Sequence, residues 1–441
     1  MQIEIVGDPS LEAWNRVWRY ASWMRQVTMD ERTVLVGDTF FKFRLSSPVG
    51  GWFPALQVLS WRITESNLLY IDLFLSPYLK KISIYTPWLW NGPEIPHDTL
   101  TVIASTISAL PTSVLQSLSV DVSYGIPSAH FTDSLSSVVL RCGLSLTAFT
   151  SIVPLSDAAV DHLIRLPHLH TWHIEGPPPS YSTSSLPIVF PPLTEFTIGG
   201  GAPGEWISLF RRLEGDISTT RGMAPLSRLK NSLKLLNIRL GLSDLVLDVS
   251  FTSLIQIFRN LVFLRVRIHC PDQDGEGRCA FRLSDDDVTK LTMALPQLEH
   301  LSLGRPCLKN TCATTVACLF QTSVHCVKLR ILEIHFNTTT IVGDLKNISR
   351  DPRFQGIRSL PKCRVSHMYV DQIPLVLDEP DLETVVNGMV DIFPSLNHCF
   401  GLGRVWSRIS ERITELRESQ RIVGESSLGF PSSPVTCLNH V

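Results

Sequence analysis

The chain has 441 residues with 39 basic and 41 acidic side chains, a formal charge of -2, so no charge excess favours unspecific nucleic-acid or membrane-surface binding. Charged residues are only 18% and apolar ones 44%, which describes a chain with a substantial buried core. There is no run of about 20 apolar residues, and the opening MQIEIVGDPSLEAW lacks a basic patch followed by an apolar core, so neither a membrane span nor a secretory leader is expected.

In chain order, the first predicted element is a helix over residues 10–28. Leu11, Trp14, Trp18, Ala21, Met24 and Val27 stand at helical spacing, and Ser10 is placed to cap it. Trp14, Trp18 and Trp23 read as a lid over the array that follows.

From residue 56 onward one phrase returns: leucine, two variable residues, a bulky apolar residue, one variable residue, another apolar residue. It stands at Leu56/Leu59/Trp61, Leu79/Ile82/Ile84, Leu115/Leu118/Val120, Leu169/Trp172/Ile174, Leu193/Phe196/Ile198, Leu233/Leu236/Ile238, Leu261/Leu264/Val266, Leu298/Leu301/Leu303 and Leu329/Leu332/Ile334, with weaker copies at Leu146/Phe149 and Val365/Met368/Val370. The last two apolar positions lie two apart, so each phrase predicts a short strand that buries one side and presents the other. The residue between them is never aliphatic: Ser60, Ser83, Ser119, Thr150, His173, Thr197, Asn237, Arg265, Ser302, Glu333 and Tyr369. Chance recurrence of leucine would not keep that slot clear. The repeat is the signature of a leucine-rich-repeat solenoid, an α/β fold with a curved parallel sheet on one face and helices on the other.

Between phrases, apolar residues three and four apart predict helices over 98–110, 157–166, 205–213, 251–258, 285–295, 314–320 and 382–393. The phrases start roughly 23 to 40 residues apart, wider than the usual repeat, so the array is irregular. Pro-, Gly- and Ser-rich insertions fall at 176–185, 199–204, 215–225 and 269–279. We expect a helical cap over 1–50, one elongated solenoid over 51–400, a helix over 401–423 and a disordered tail over 424–441.

No catalytic constellation stands out, and the chain reads as no enzyme, with no cofactor. The run Gly199-Gly200-Gly201 lacks the Lys-Ser/Thr ending of a phosphate loop and reads as a turn. Cys307, Cys312, Cys318 and Cys326 contain no C-x-x-C pair, and His162, His168, His170 and His173 need not converge, so no metal is expected. Asp285, Asp286 and Asp287 follow Ser284 at a helix start, where acidic side chains offset the helix dipole. Ten dilute cysteines favour a reducing, intracellular compartment, cytoplasmic or nuclear.

What the geometry does assign is a set of side chains on the open side of the sheet. The slots before, between and after the last two apolar positions hold Arg62, Lys81, Tyr85, Asp121, His173, Glu175, Glu195, Asn237, Arg239, Phe263, Arg265, Arg267, His300, Glu333, His335, Tyr369 and Asp371. These are the candidate partner-binding residues for a protein or peptide on the concave face. Arg239, Arg265 and Arg267, flanked by Phe263, form a basic group suited to an acidic or phosphorylated peptide.

The phrases FPALQVLSW, SPYLKKISIYTP, LPHLHTWHIEG and FPPLTEFTIGG, joined by helices ending in Leu-Pro, resemble the repeat region of fungal F-box/leucine-rich-repeat proteins over roughly residues 10–400. The resemblance implies a substrate-recognition subunit of an SCF-type ubiquitin ligase, docked through an N-terminal F-box on the Skp adaptor. No segment before Trp52 reads as that box; Asp8-Pro9-Ser10-Leu11 opens the Trp-rich helix instead. The alternative is a box-less interaction scaffold unconnected with ubiquitination.

Overall fold

The structure, a computed structural model, describes residues 2–3, 9–29, 34–35, 39–45, 51–64, 67–86, 97–122, 129–175, 191–200, 229–240, 255–268, 283–304, 313–350, 362–370, 377–401 and 403–427. They group into two compact units, Met1–Leu245 with Ser253–His269, and Val246–Thr252 with Cys270–Val441.

The first unit begins with β1 (Gln2–Ile3), α1 (Leu11–Ala21), β2 (Gln26–Met29), β3 (Val34–Leu35), α2 (Thr39–Leu45), β4 (Val58–Arg62) and a 3-10 helix (Leu68–Phe74). It continues through β5 (Lys81–Tyr85), α3 (His97–Ser108), β6 (Ser117–Asp121), α4 (Ala129–Arg141), β7 (Ala148–Ser151) and α5 (Asp157–Ile164). Four strands complete it: β8 (Thr171–Glu175), β9 (Glu195–Gly199), β10 (Leu235–Leu240) and β11 (Phe263–Ile268). β1 and β3 pair with each other. β2 and β4 to β11 lie side by side in sequence order, all parallel. The second unit runs α6 (Asp285–Ala294), β12 (His300–Leu303), α7 (Val316–His325), β13 (Ile331–Ile334), α8 (Ile341–Arg350), β14 (His367–Tyr369), α9 (Glu379–Ile392), β15 (His398–Phe400) and α10 (Arg404–Ser427). β12 to β15 are again parallel and sequential. Each unit is thus a stack of strand-plus-connection repeats, the α/β solenoid of leucine-rich-repeat type that the phrases predict.

The repeating phrase acts through the backbone as well as the core. The carbonyl of its first variable residue accepts two N–H donors from the next copy: Gln57 O from Lys80 and Lys81, Lys80 O from Gln116 and Ser117, Gln116 O from Thr147 and Ala148. The same pattern holds at Arg330 O and Ser366 O in the second unit. Every phrase leucine is fully buried, as are Leu59, Trp61, Phe149, Trp172, Leu264, Leu301 and Leu332. The helices cover this side with their own apolar residues, such as Phe131, Leu135 and Val138 of α4 and Val288 and Leu291 of α6.

The two ends differ from expectation. The first helix stops at Ala21 rather than continuing to 28, because Met24, Val27 and Met29 form a further copy of the phrase. Arg25 O takes the paired donors from Gln57 and Val58, making β2 a strand of the array, although its apolar residues are less covered than those of the inner copies, Met24 being exposed. Ser10 does cap α1, accepting from Ala13 N. Of the three tryptophans only Trp14 packs inward, against Phe43 and Trp52 with centroids 5.6 and 5.3 Å apart. Trp18 and Trp23 are exposed, so the lid is one tryptophan wide.

At the other end Leu396 and Cys399 open a thirteenth copy whose last apolar slot is Gly401. A Cβ there would lie 2.5 Å from Trp406 Cδ1, so the α10 indole fills the space that a large side chain occupies elsewhere. Ser410 Oγ accepts from Cys399 N at 3.2 Å and thereby satisfies a donor on the last strand. The weak copy at Leu146 has a similar explanation. Its third slot is Ser151, buried, with its hydroxyl donating to Val153 O and accepting from Val153 N. Helices 129–141 and 341–350 also occur where the sequence reading placed none, while the expected helix over 205–213 lies outside the described residues. Among the described residues, no helix is long and apolar enough to cross a membrane.

Candidate functional site

The strands alternate buried and accessible side chains, as in β4, where Leu59 and Trp61 are buried and Val58, Ser60 and Arg62 are not. Because the pairing is in register, the middle slots form a continuous row on the open face of the first unit. The row runs Thr28, Ser60, Ser83, Ser119, Thr150, His173, Thr197, Asn237, Arg265. Its first five members are small hydroxyl side chains. A row of short side chains leaves the sheet surface low, with donors and acceptors close to whatever lies on it.

Beside that row Arg62, Tyr85 and Asp121 stand in register with one another, and the Tyr85 hydroxyl donates to Met29 O at 3.4 Å. Lys81 is exposed, opposite Ser117. Glu195 accepts from Thr171 Oγ1 at 3.5 Å. Glu175 ends β8 opposite Gly199, its side chain lying outside the described residues.

At the far end of this unit Arg239 is opposite Arg267 and Asn237 opposite Arg265. The Arg265 guanidinium sits 5.2 Å from the Phe263 ring centroid, a cation–π contact. The structure therefore brings the four basic and aromatic residues together. Asn237 is a correction to the expected exposure: it is 8% exposed, hemmed between Thr197 and Arg265 in its row.

In the second unit the middle row is Ser302, Glu333, Tyr369, Phe400. Ser302 Oγ donates to Glu333 Oε2 at 2.6 Å. His300 is half-buried opposite Ile331. His335 is a second correction, at 1% exposed. β13 ends at Ile334; beyond it His335 N donates to Leu303 O and His335 O accepts from Thr314 Oγ1 at 2.8 Å, and His335 and Phe336 are both buried, so the strand's alternation does not continue. Asp371 lies outside the described residues.

Sequence reasoning missed the richest part of this face. His367 and His398 occupy the slots preceding Tyr369 and Phe400, directly opposite one another. The Tyr369 and Phe400 rings stack with centroids 5.0 Å apart, and His367 and His398 lie 6.2 and 5.8 Å from Phe400. The signal was present in Leu396-Asn397-His398-Cys399, a phrase disguised by cysteine and glycine in its apolar slots.

Residues that might suggest chemistry have structural partners. His162 Nε2 pairs with Cys142 O and His170 Nδ1 with Pro192 O, on separate elements. Cys318 and Cys326 are buried, and burial pushes the Cys326 thiol up to about 12; Cys307 and Cys312 lie outside the described residues. Gly200, at φ 70°, donates its N–H to Arg239 O, using the backbone freedom of glycine to end β9. Ser284 and Asp287 form a reciprocal capping box on α6, while Asp285 accepts from Thr315 N and Oγ1 at 2.7 and 2.6 Å. Among the described residues no three His, Cys, Asp or Glu side chains gather as a metal site.

These repeats and their open face define the class as a parallel-sheet α/β solenoid of leucine-rich-repeat type. No family model matches the chain, and no curated protein matches it either.

Proposed function

We propose that this chain is a noncatalytic protein-binding solenoid whose open sheet face receives an extended segment of a partner protein. The observation that supports the reading is the row of side chains Ser60, Ser83, Ser119, Thr150, His173 and Thr197, held in register and free of large aliphatic groups. Such a face offers hydrogen-bonding groups at a fixed spacing of about 4.8 Å and has little apolar area to bury on its own. In the first unit, Arg239, Arg265 and Arg267 favour an acidic or phosphorylated segment, by charge-assisted and bidentate pairing.

The cellular role we propose is substrate recognition for an SCF-type ubiquitin ligase. It rests on the resemblance of the repeat phrases to fungal F-box/leucine-rich-repeat proteins. A second observation favours it: α1 and the turn after it expose Leu11, Val17, Trp18, Tyr20, Trp23 and Met24, with Leu11 78% exposed. Exposed apolar groups of this density mark an interaction surface, and adaptor docking would cover them. The alternative role is a scaffold that binds partners without delivering them to a ligase.

Two measurements test the reading. A photo-crosslinking residue at position 119, on the open face, is expected to capture partner protein in cells, whereas one at Asp161, on α5, is not; equal capture from both would refute the binding face. Co-purification with the Skp adaptor is expected for the chain and is expected to be lost in a Leu11→Glu/Trp18→Glu variant. A folded chain that forms no adaptor complex would leave the scaffold role.

A further inference from the structure

On the second unit the open sheet face does not end at its last strand. α10 follows β15, and between them lies a groove of about 580 Å³ lined by His398, Phe400, Ser407, Ser410, Glu411 and Glu415. Two features of this groove belong together. One side carries an aromatic ring: Phe400 lines the groove and stacks on Tyr369 of the neighbouring strand, parallel to within 22°, the two rings being 43% and 42% exposed. An aromatic pair of this kind in water offers flat π faces to a planar or cationic group. Its α10 wall is acidic, with Glu411 and Glu415 one helical turn apart and therefore on one face of α10.

Two arginines of α10 are ion-paired. Arg408 pairs with Glu379 of α9, and Arg412 bridges Glu383 of α9 at 3.5 Å and Glu415 at 2.8 Å. Glu415 is thus shared with Arg412, while Glu411 has no ion pair among the described residues.

We infer that this groove is the docking site for an arginine side chain carried by a basic segment of the partner protein. The choice of arginine follows from the combination of surfaces. A guanidinium stacks on an aromatic face with its edge free, and that edge donates a fork of N–H groups suited to carboxylates standing beside the ring. Lysine matches the charge but neither the stacking nor the fork. A purely apolar group would leave Glu411 without a partner and bury it against the ring, which is costly. The hydroxyls of Ser407 and Ser410 on the same wall supply acceptors for remaining guanidinium donors. The inference rests on the reading that the open face receives a protein segment, and it specifies the chemistry that the second unit recognises.

The test uses the full chain and a fluorescein-labelled ten-residue peptide of alternating Arg and Ser, with Lys/Ser and Glu/Ser peptides as comparisons, in anisotropy titrations. The Arg/Ser peptide is expected to bind saturably, the Lys/Ser peptide several-fold more weakly and the Glu/Ser peptide not at all. Phe400→Leu, which keeps apolar bulk and removes the π face, is expected to weaken the Arg/Ser peptide about fivefold. Glu411→Gln/Glu415→Gln is expected to weaken it about tenfold or more. All of these side chains are at the surface, so circular dichroism and melting should match the unaltered chain. Equal binding of the Arg and Lys peptides would overturn the arginine assignment. Undiminished binding by both variants, or no binding of the Arg/Ser peptide at all, would overturn the site. If crosslinks through position 119 persist in that case, the general binding reading survives; if they too are absent, that reading is the one that fails.

Discussion

Asp285 links one repeat to the next, and its removal should cost more than that of its exposed neighbour Asp286. Its carboxylate accepts two hydrogen bonds from Thr315, at 2.7 Å from the backbone N and 2.6 Å from Oγ1, and Thr315 in turn caps α7 by accepting from Ala317 N. A hydrogen bond to a charged group contributes about 1.5–3 kcal/mol, and a carboxylate in a first helical turn adds about 0.3–1 kcal/mol. Asp285 is half-buried, so the pair is discounted for solvent, and Asp285→Ala is expected to cost about 2–4 kcal/mol. Asp286, its neighbour, is exposed and makes only an i,i+4 ion pair with Lys290, so Asp286→Ala is expected to cost about 0.5 kcal/mol or less. Urea unfolding followed by tryptophan fluorescence gives the difference, and hydrogen exchange across residues 316–325 localises it to α7. Equal midpoints for the two variants, or unchanged exchange in α7 with Asp285→Ala, would refute the argument.

Further outcomes are expected elsewhere. Leu264→Ala and Leu301→Ala each empty a fully buried phrase position and should cost about 2–5 kcal/mol, whereas Arg265→Ala, on the open face with its Phe263 contact, should cost about 1 kcal/mol or less; urea titration separates them. Gly401→Ala drives a methyl into the Trp406 ring and should release α10 from the last strand, read as faster hydrogen exchange at Cys399, while Gly403→Ser, with open space around it, should strain only the backbone. Burial raises the Cys142 and Cys399 thiols to about 12 and Cys363 to about 11, so iodoacetamide at about pH 8 should leave them unmodified in the folded chain and alkylate them after denaturation. Partial burial lowers the His325 pKa, so the folded state binds fewer protons there than the unfolded one; this contribution is present above the ordinary histidine range and is lost as pH falls through it, and His325→Gln should flatten the melting profile over that interval.

The recurrence of leucine with an apolar pair two residues apart was enough to determine strands, their parallel order and the side that is buried, because period-two alternation and a fixed repeat leave one way to stack. Eleven phrases of this kind could be read directly, and all became strands with their apolar positions buried, while the middle-slot residues Asn237 and Ser302 are buried as well. Tertiary structure decided the ends. Met24-Arg25-Gln26-Val27 continues a helical periodicity on paper, yet it pairs with β4 because Arg25 O is needed as the acceptor for Gln57 and Val58. Cys399 and Gly401 do not look like core residues, and they work as such only because Trp406, five positions beyond Gly401, supplies the missing volume. The same holds for the open face. Register made its residues legible as a row, but alternation alone cannot see that β13 stops before His335 or that Asn237 is enclosed by its neighbours. Nor can it show that Phe400 stacks on Tyr369 beside two glutamates of α10. Those contacts join residues far apart in sequence, and only the folded chain brings their side chains together.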